Sequence, residues 1–155
     1  MGGLKSITTT SDYKLLTVYG KGMCGLAGFS NKIFNMITKM EISIPFITQA
    51  SSEQTICIAI PKDIIYEFKE GLVNKYIKSE LEQKIVDKIE VSGDISIITV
   101  IGMNMKNRSN VAGKIFSIIG EQNINVIAIS QGSSEISISL IVNKEDELLA
   151  IKTIH

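Results

Sequence analysis

The sequence predicts an α+β chain made of two copies of one split βαβ unit, each an antiparallel sheet with its helices on one face. Three observations carry that prediction. The first is an internal repeat at an offset of 82 residues that never slips: Thr17-Val18 returns as Thr99-Val100, Gly20 as Gly102, Met23 as Met105 and Lys32-Ile33-Phe34 as Lys114-Ile115-Phe116. Gln49 and Ser51-Ser52-Glu53 likewise return as Gln131 and Ser133-Ser134-Glu135, and about a third of the aligned positions between 17 and 63 are identical. The second is composition: 45% of the residues are hydrophobic but only 6% aromatic, and Ile alone makes up roughly a fifth, a β-branched excess that favours sheets. The third is periodicity, which switches between two and 3.6 inside each copy.

The elements follow in order. Leu4 to Thr9 is an extended stretch with no partner in the first copy. Leu15 to Tyr19 is a short apolar strand that stops at Gly20, and Ile95 to Ile101 stops likewise at Gly102. Phe29, Ile33, Met36, Ile37 and Met40 then fall at helical spacing, as do Val111, Ile115, Ile118 and Ile119. Period two resumes where Ile42, Ile44 and Phe46 alternate with Ser43 and Pro45. After a turn at 50–53, Ile56, Ile58 and Ile60 alternate with Cys57 and Ala59, which completes a hairpin. Asp63 is placed to cap a second helix lined by Ile64, Ile65, Phe68, Leu72 and Tyr76, and Ile85 to Val91 closes the unit as a fourth strand.

The second copy is one strand short. It ends in an amphipathic run from Glu145 to His155, with Leu148, Ile151 and Ile154 on one side and no capping residue at the end, as in a piece of a longer chain. The economical expectation is that Leu4 to Thr9 supplies the missing strand. That gives a first unit at 13–92 inserted into a second made of 3–10 and 94–155.

Composition excludes several functions. Sixteen basic residues balance sixteen acidic ones, so no net field draws in nucleic acid or an anionic membrane. No apolar run approaches the roughly 18 residues that a span needs. Two cysteines, Cys24 and Cys57, are too few and too far apart for a redox pair or a zinc knuckle and suit a reducing cytoplasm. Met1-Gly2 with Ser6 matches a loose myristoylation pattern and Asn107-Arg108-Ser109 a glycosylation sequon, but neither fits the rest of the reading.

Two constellations could hold a small molecule. Gly20-Lys21-Gly22-Met23-Cys24-Gly25 lies between a strand and a helix amino terminus, where backbone amides and the helix end favour an anion. It lacks nucleotide-loop spacing, and it serves equally as a plain strand-to-helix turn. Gln49-Ala50-Ser51-Ser52-Glu53 and its copy Gln131-Gly132-Ser133-Ser134-Glu135 sit at the hairpin turn. Ser and Gly suit any turn, but both copies keep an amide and a carboxylate, the two kinds of group that a zwitterion requires. Catalysis finds no support, because the single His is the last residue, the serines have no evident base and metal ligands do not cluster.

Gly22-Met23 with Gly25 and Gly28, Ile47-Thr48-Gln49-Ala50-Ser51-Ser52-Glu53, Val111-Ala112-Gly113-Lys114-Ile115-Phe116 and the run Asn123 to Glu135 together resemble the tandem ACT regulatory region of aspartate kinases, nearest the threonine-sensitive branch. The resemblance covers about residues 4 to 155 and implies two ferredoxin-like βαββαβ ACT units. It further implies a feedback-inhibition region of the enzyme that phosphorylates aspartate at the start of lysine, threonine and methionine synthesis. This chain would hold no catalytic site, metal or cofactor, since ATP and magnesium belong to a kinase domain outside it. Its partners would be a free amino acid, threonine before lysine, and a second copy joined through ACT units. Carried over residue by residue, the effector site comprises Lys21, Gly22, Met23, Ala27, Ile44, Ile47, Gln49, Ser52, Glu53 and Gln54, with Ile129 and Gln131 for a second site. Unit two departs from the loop pattern, having Asn104, Asn107 and Arg108 where glycines are common.

Alternatives within this resemblance are a lysine-sensing region or the regulatory segment of a bifunctional aspartate kinase/homoserine dehydrogenase. Outside it stand a small acylphosphatase-like enzyme, for which the lone Arg108 is poorly placed, and an RNA-binding sheet, which would need stacking aromatics and a basic surface.

Overall fold

A computed structural model describes residues 4–21, 29–48, 54–102, 111–131 and 137–155. Its residues group into two compact units, Asp12–Gly93 and Met1–Ser11 with Asp94–His155. The strands are β1 (Leu4–Tyr19), β2 (Ile47–Thr48), β3 (Thr55–Pro61), β4 (Lys88–Gly102), β5 (Ala128–Gln131) and β6 (Ser137–Asn143). The helices are α1 (Phe29–Lys39), α2 (Ile65–Gly71), α3 (Lys78–Glu82), α4 (Val111–Glu121) and α5 (Glu147–Ile154). The strand order is β2-β3-β1-β4 in the first unit and β1-β4-β6-β5 in the second.

The two units repeat in register as well as in sequence. Leu16 faces Ile58 across β1 and β3, and Ile98 faces Leu140 across β4 and β6. The neighbouring pair, Thr17 with Cys57, becomes Thr99 with Ser139, and each pair is joined through its side chains, at 3.6 and 2.9 Å. Both first helices end in the same backbone lock. Glu41 has φ 52° and Asn123 has φ 56°, while Ile42 N–H reaches Ile37 O at 3.2 Å and Ile124 N–H reaches Ile119 O at 3.3 Å. This is the left-handed cap that frees the chain to turn back over its sheet.

Each unit buries one sheet face under its helices. Leu16, Val18, Ile56, Ile58 and Ile60 pack with Phe29, Ile33, Met36 and Ile37 of α1 and with Ile65, Phe68 and Leu72. Ile98, Val100, Ile138, Leu140 and Val142 pack with Ile115, Ile119, Ala150 and Ile154, and Ile7 from the amino-terminal half of β1 joins them. Fully burying such side chains contributes about 1.5–3 kcal/mol each, so the isoleucines dominate the stability of both units.

Five expectations need correction. The strand expected over Ile42 to Phe46 is only the pair Ile47–Thr48, because Pro45 has no N–H to give a ladder, although Ala59 N–H still reaches Phe46 O at 3.0 Å. Asp63 caps nothing: the residue before α2 is Ile64, with no side-chain cap. The second helix is broken by a π turn at Leu72–Tyr76, closed by Ile77 N–H to Leu72 O at 2.9 Å; the extra residue resets the phase so that Ile77 is fully buried. The fourth strand begins at Lys88 rather than Ile85, because Ile85 and Val86 both spend their N–H groups on Glu80 O, at 2.8 and 3.0 Å. In the last helix Ala150 and Ile154 face the core, whereas Leu148 is 77% exposed. Among the described residues, no helix is long and apolar enough to cross a membrane.

Candidate functional site

The candidate site of the first unit starts at the end of β1. Gly20 is fixed from two sides: its N–H donates to Gln54 O at 2.8 Å, while a Cβ placed there would lie 2.2 Å from Ile85 O. Only glycine fits so close a backbone approach. Asp87 N–H bonds Tyr19 O at 2.7 Å, and Asp87 Oδ2 accepts the Lys21 N–H at 3.2 Å. The loop therefore starts from a held point. From Gln54 the chain enters β3, and two residues on, Ile56 lines a shallow cleft of only about 10 Å³ together with Ser30, Ile33 and Phe34 of α1 and Ile47 of β2. Ile47 is 36% exposed and Phe34 45%, so the cleft presents apolar surface to solvent beside a hydroxyl in the first turn of α1.

Of the residues singled out from sequence, Lys21 and Gln54 meet around Gly20, and Ile47 forms a cleft wall. Ile44 packs against the core of its unit. Ile129, 45% exposed, and Gln131 lie on β5 in the second unit, where Gln131 pairs with Ile138 and Ile129 with Leu140. Gly22, Met23, Ala27, Gln49, Ser52 and Glu53 lie outside the described residues. Sequence reasoning missed Ser30, Phe34 and Asp87. A large apolar residue off the buried stripe of α1 was the available sign for Phe34, whereas Asp87 is brought in from 66 positions away and gave none.

Beside the loop entry lies a charged cluster. Lys88 Nζ sits 4.7 Å above the Tyr19 ring and bonds Glu90 at 2.9 Å. Partial burial pushes the Tyr19 phenol above its usual range, and the Glu90 carboxylate adds to this. The Lys88 hydrogen bond lowers the Glu90 carboxyl, and the same bond raises Lys88. No group of three or more potential metal ligands occurs among the described residues.

The sequence profile of the ACT domain matches residues 16–66 and 98–155, one match in each unit. The chain belongs to the ACT domain family. Over 98% of its length it is 36% identical to the bifunctional aspartokinase/homoserine dehydrogenases of Buchnera aphidicola and of Haemophilus influenzae, and it spans 18% of each of those proteins. The regulatory subunit of aspartate kinase from Thermus flavus has the same fold, with a TM-score of 0.80 at 19% identity over 99% of this chain and 97% of that one. Aspartokinase III of E. coli, solved in complex with lysine and aspartate, superposes with a TM-score of 0.69 at 16% identity, covering 98% of this chain and 32% of that one.

Proposed function

We propose that this ACT chain is the feedback-sensing regulatory region of an aspartate kinase and that its effector is threonine. One juxtaposition carries the reading: an apolar cleft with one hydroxyl among its described lining, two residues along the chain from the Gln54–Gly20 hydrogen bond, in a chain that aligns along nearly its whole length with bifunctional aspartokinase/homoserine dehydrogenases. The amino acid places its carboxylate on loop amides and on the first turn of α1, where N–H groups have no partner within the helix. Its ammonium meets side-chain acceptors of the hairpin, Gln49 and Glu53. The short methyl and hydroxyl of threonine suit Ile33, Phe34, Ile47 and Ser30.

The bound effector inhibits by preferring one pairing of ACT units, within a homodimer, over another, since equal affinity for both would shift nothing. A thermal-shift panel of threonine, lysine, methionine and isoleucine tests the effector. At 100 times its dissociation constant the true ligand adds about 2.7 kcal/mol to stability. Threonine should give the shift and lysine none; a shift with lysine alone moves the chain to the lysine-sensing class. Gln49→Ala and Gln131→Ala should each weaken threonine binding by about tenfold without lowering the melting temperature. Unchanged calorimetric affinity in both variants removes these glutamines from the site.

A further inference from the structure

The turn between α3 and β4 touches both walls of the candidate site, although sequence reasoning gave it no role. Glu80, 6% exposed, is paired through one carboxylate oxygen with Lys32 of α1, while its other oxygen is buried with no hydrogen-bond partner among the described residues. Its backbone carbonyl takes the N–H groups of both Ile85 and Val86, and Lys84 adopts φ 58° to allow that reversal. The reversal sets Ile85 O against Gly20 and carries Asp87 to the Lys21 amide. The helix that walls the cleft and the entry to the glycine loop are thus tied to one eight-residue segment, 80–87.

We infer that Glu80 and Asp87 are positioning residues of the effector site, Glu80 setting helix α1 and Asp87 the first loop amide, so that the site is formed before the ligand arrives. A preorganised site spends less of its binding free energy on ordering the chain. The second unit differs in its loop: at the 82-residue offset Asn104 and Asn107 stand where the first unit has Gly22 and Gly25, and Met103 stands for Lys21. The first unit is therefore the tighter site.

The inference takes its ligand, but not its claim about the loop, from the regulatory reading above. Two readouts on the full chain test it: amide exchange at Lys21 by NMR without ligand, and threonine affinity by calorimetry. Asp87→Ala should speed exchange at Lys21 and weaken threonine binding, each by about fivefold, whereas Asp87→Asn, which keeps an acceptor oxygen, should stay within about twofold of the parent. Glu80→Met, which removes the tie to Lys32 without leaving a buried unpaired oxygen, should weaken threonine binding by about fivefold at an undiminished melting temperature. Unaltered Lys21 exchange in Asp87→Ala overturns the inference, as does faster exchange with unaltered affinity. A parent chain that binds no amino acid removes the regulatory reading instead, and the exchange rates alone then decide whether Asp87 holds the loop.

Discussion

The first and second units share a strand register, a helix cap and a core pattern, yet they draw their strands from the chain differently. In the first, the chain runs on from the hairpin through α2, a π turn and α3 into its own fourth strand, and that extra segment grips the loop entry. In the second, an edge strand comes from residues far upstream. Duplication preserved what the isoleucine core needs and the Gln, Ser-Ser-Glu pattern at 49–53 and 131–135, whereas the glycines at 22 and 25 became Asn104 and Asn107.

Removing residues 1–9 should have the largest effect on this comparison. It deletes a strand of the second unit and the contact of Ile7 with that unit's core, so the NMR signals of Ile98, Leu140 and Ile119 should lose their dispersion while those of Leu16 and Ile58 keep it. Equal loss in both would mean that the units do not fold separately. Next comes Gly20→Ala, whose methyl meets backbone at 2.2 Å and should cost about 3 kcal/mol or more in denaturant unfolding. Gly113→Ala, in the open on α4, should instead stabilise by about 0.5–1 kcal/mol.

Much of this could be read beforehand, and the exceptions have physical causes. The buried stripe of α1 and the alternation of β3 were legible because period and burial coincide at Phe29, Ile33, Met36, Ile56 and Ile58. The π turn was not, because Leu72 and Ile77 stand five apart and only tertiary packing rewards that spacing. The late start of β4 was equally hidden, since it depends on Glu80 capturing two amides that a strand pattern would assign to the ladder. In the candidate site, Lys21, Ile47 and Gln54 were named from sequence, most of the glycine loop and the hairpin turn lie outside the described residues, and Phe34 showed only as a large apolar residue off the buried stripe of α1, whereas Asp87 gave no sign.

A smaller effect lies in the shared cap. Glu41 and Asn123 hold the same left-handed turn, and Asn tolerates it better. Exchanging them should show it: Glu41→Asn gains about 0.5 kcal/mol and Asn123→Glu loses about as much, measured by thermal unfolding. The smallest effect is alkaline. Because folding raises the Tyr19 pKa above the ordinary tyrosine value of 10.0, the unfolded chain ionises first, so the stabilisation present below that pH is lost as pH rises through the folded pKa. The counterpart of Tyr19 in the repeat is Ile101, so only the first unit carries this sensitivity, and Tyr19→Phe should remove it from pH-dependent unfolding curves.

Titrating the labelled chain with threonine and following backbone NMR shifts tests most directly whether these units bind an amino acid for regulation. Saturable shifts at Lys21, Ile47 and Gln54, at lower concentration than any at Ile129 and Gln131, are the predicted result. Shifts that never saturate, or that spare both edge strands, would contradict it.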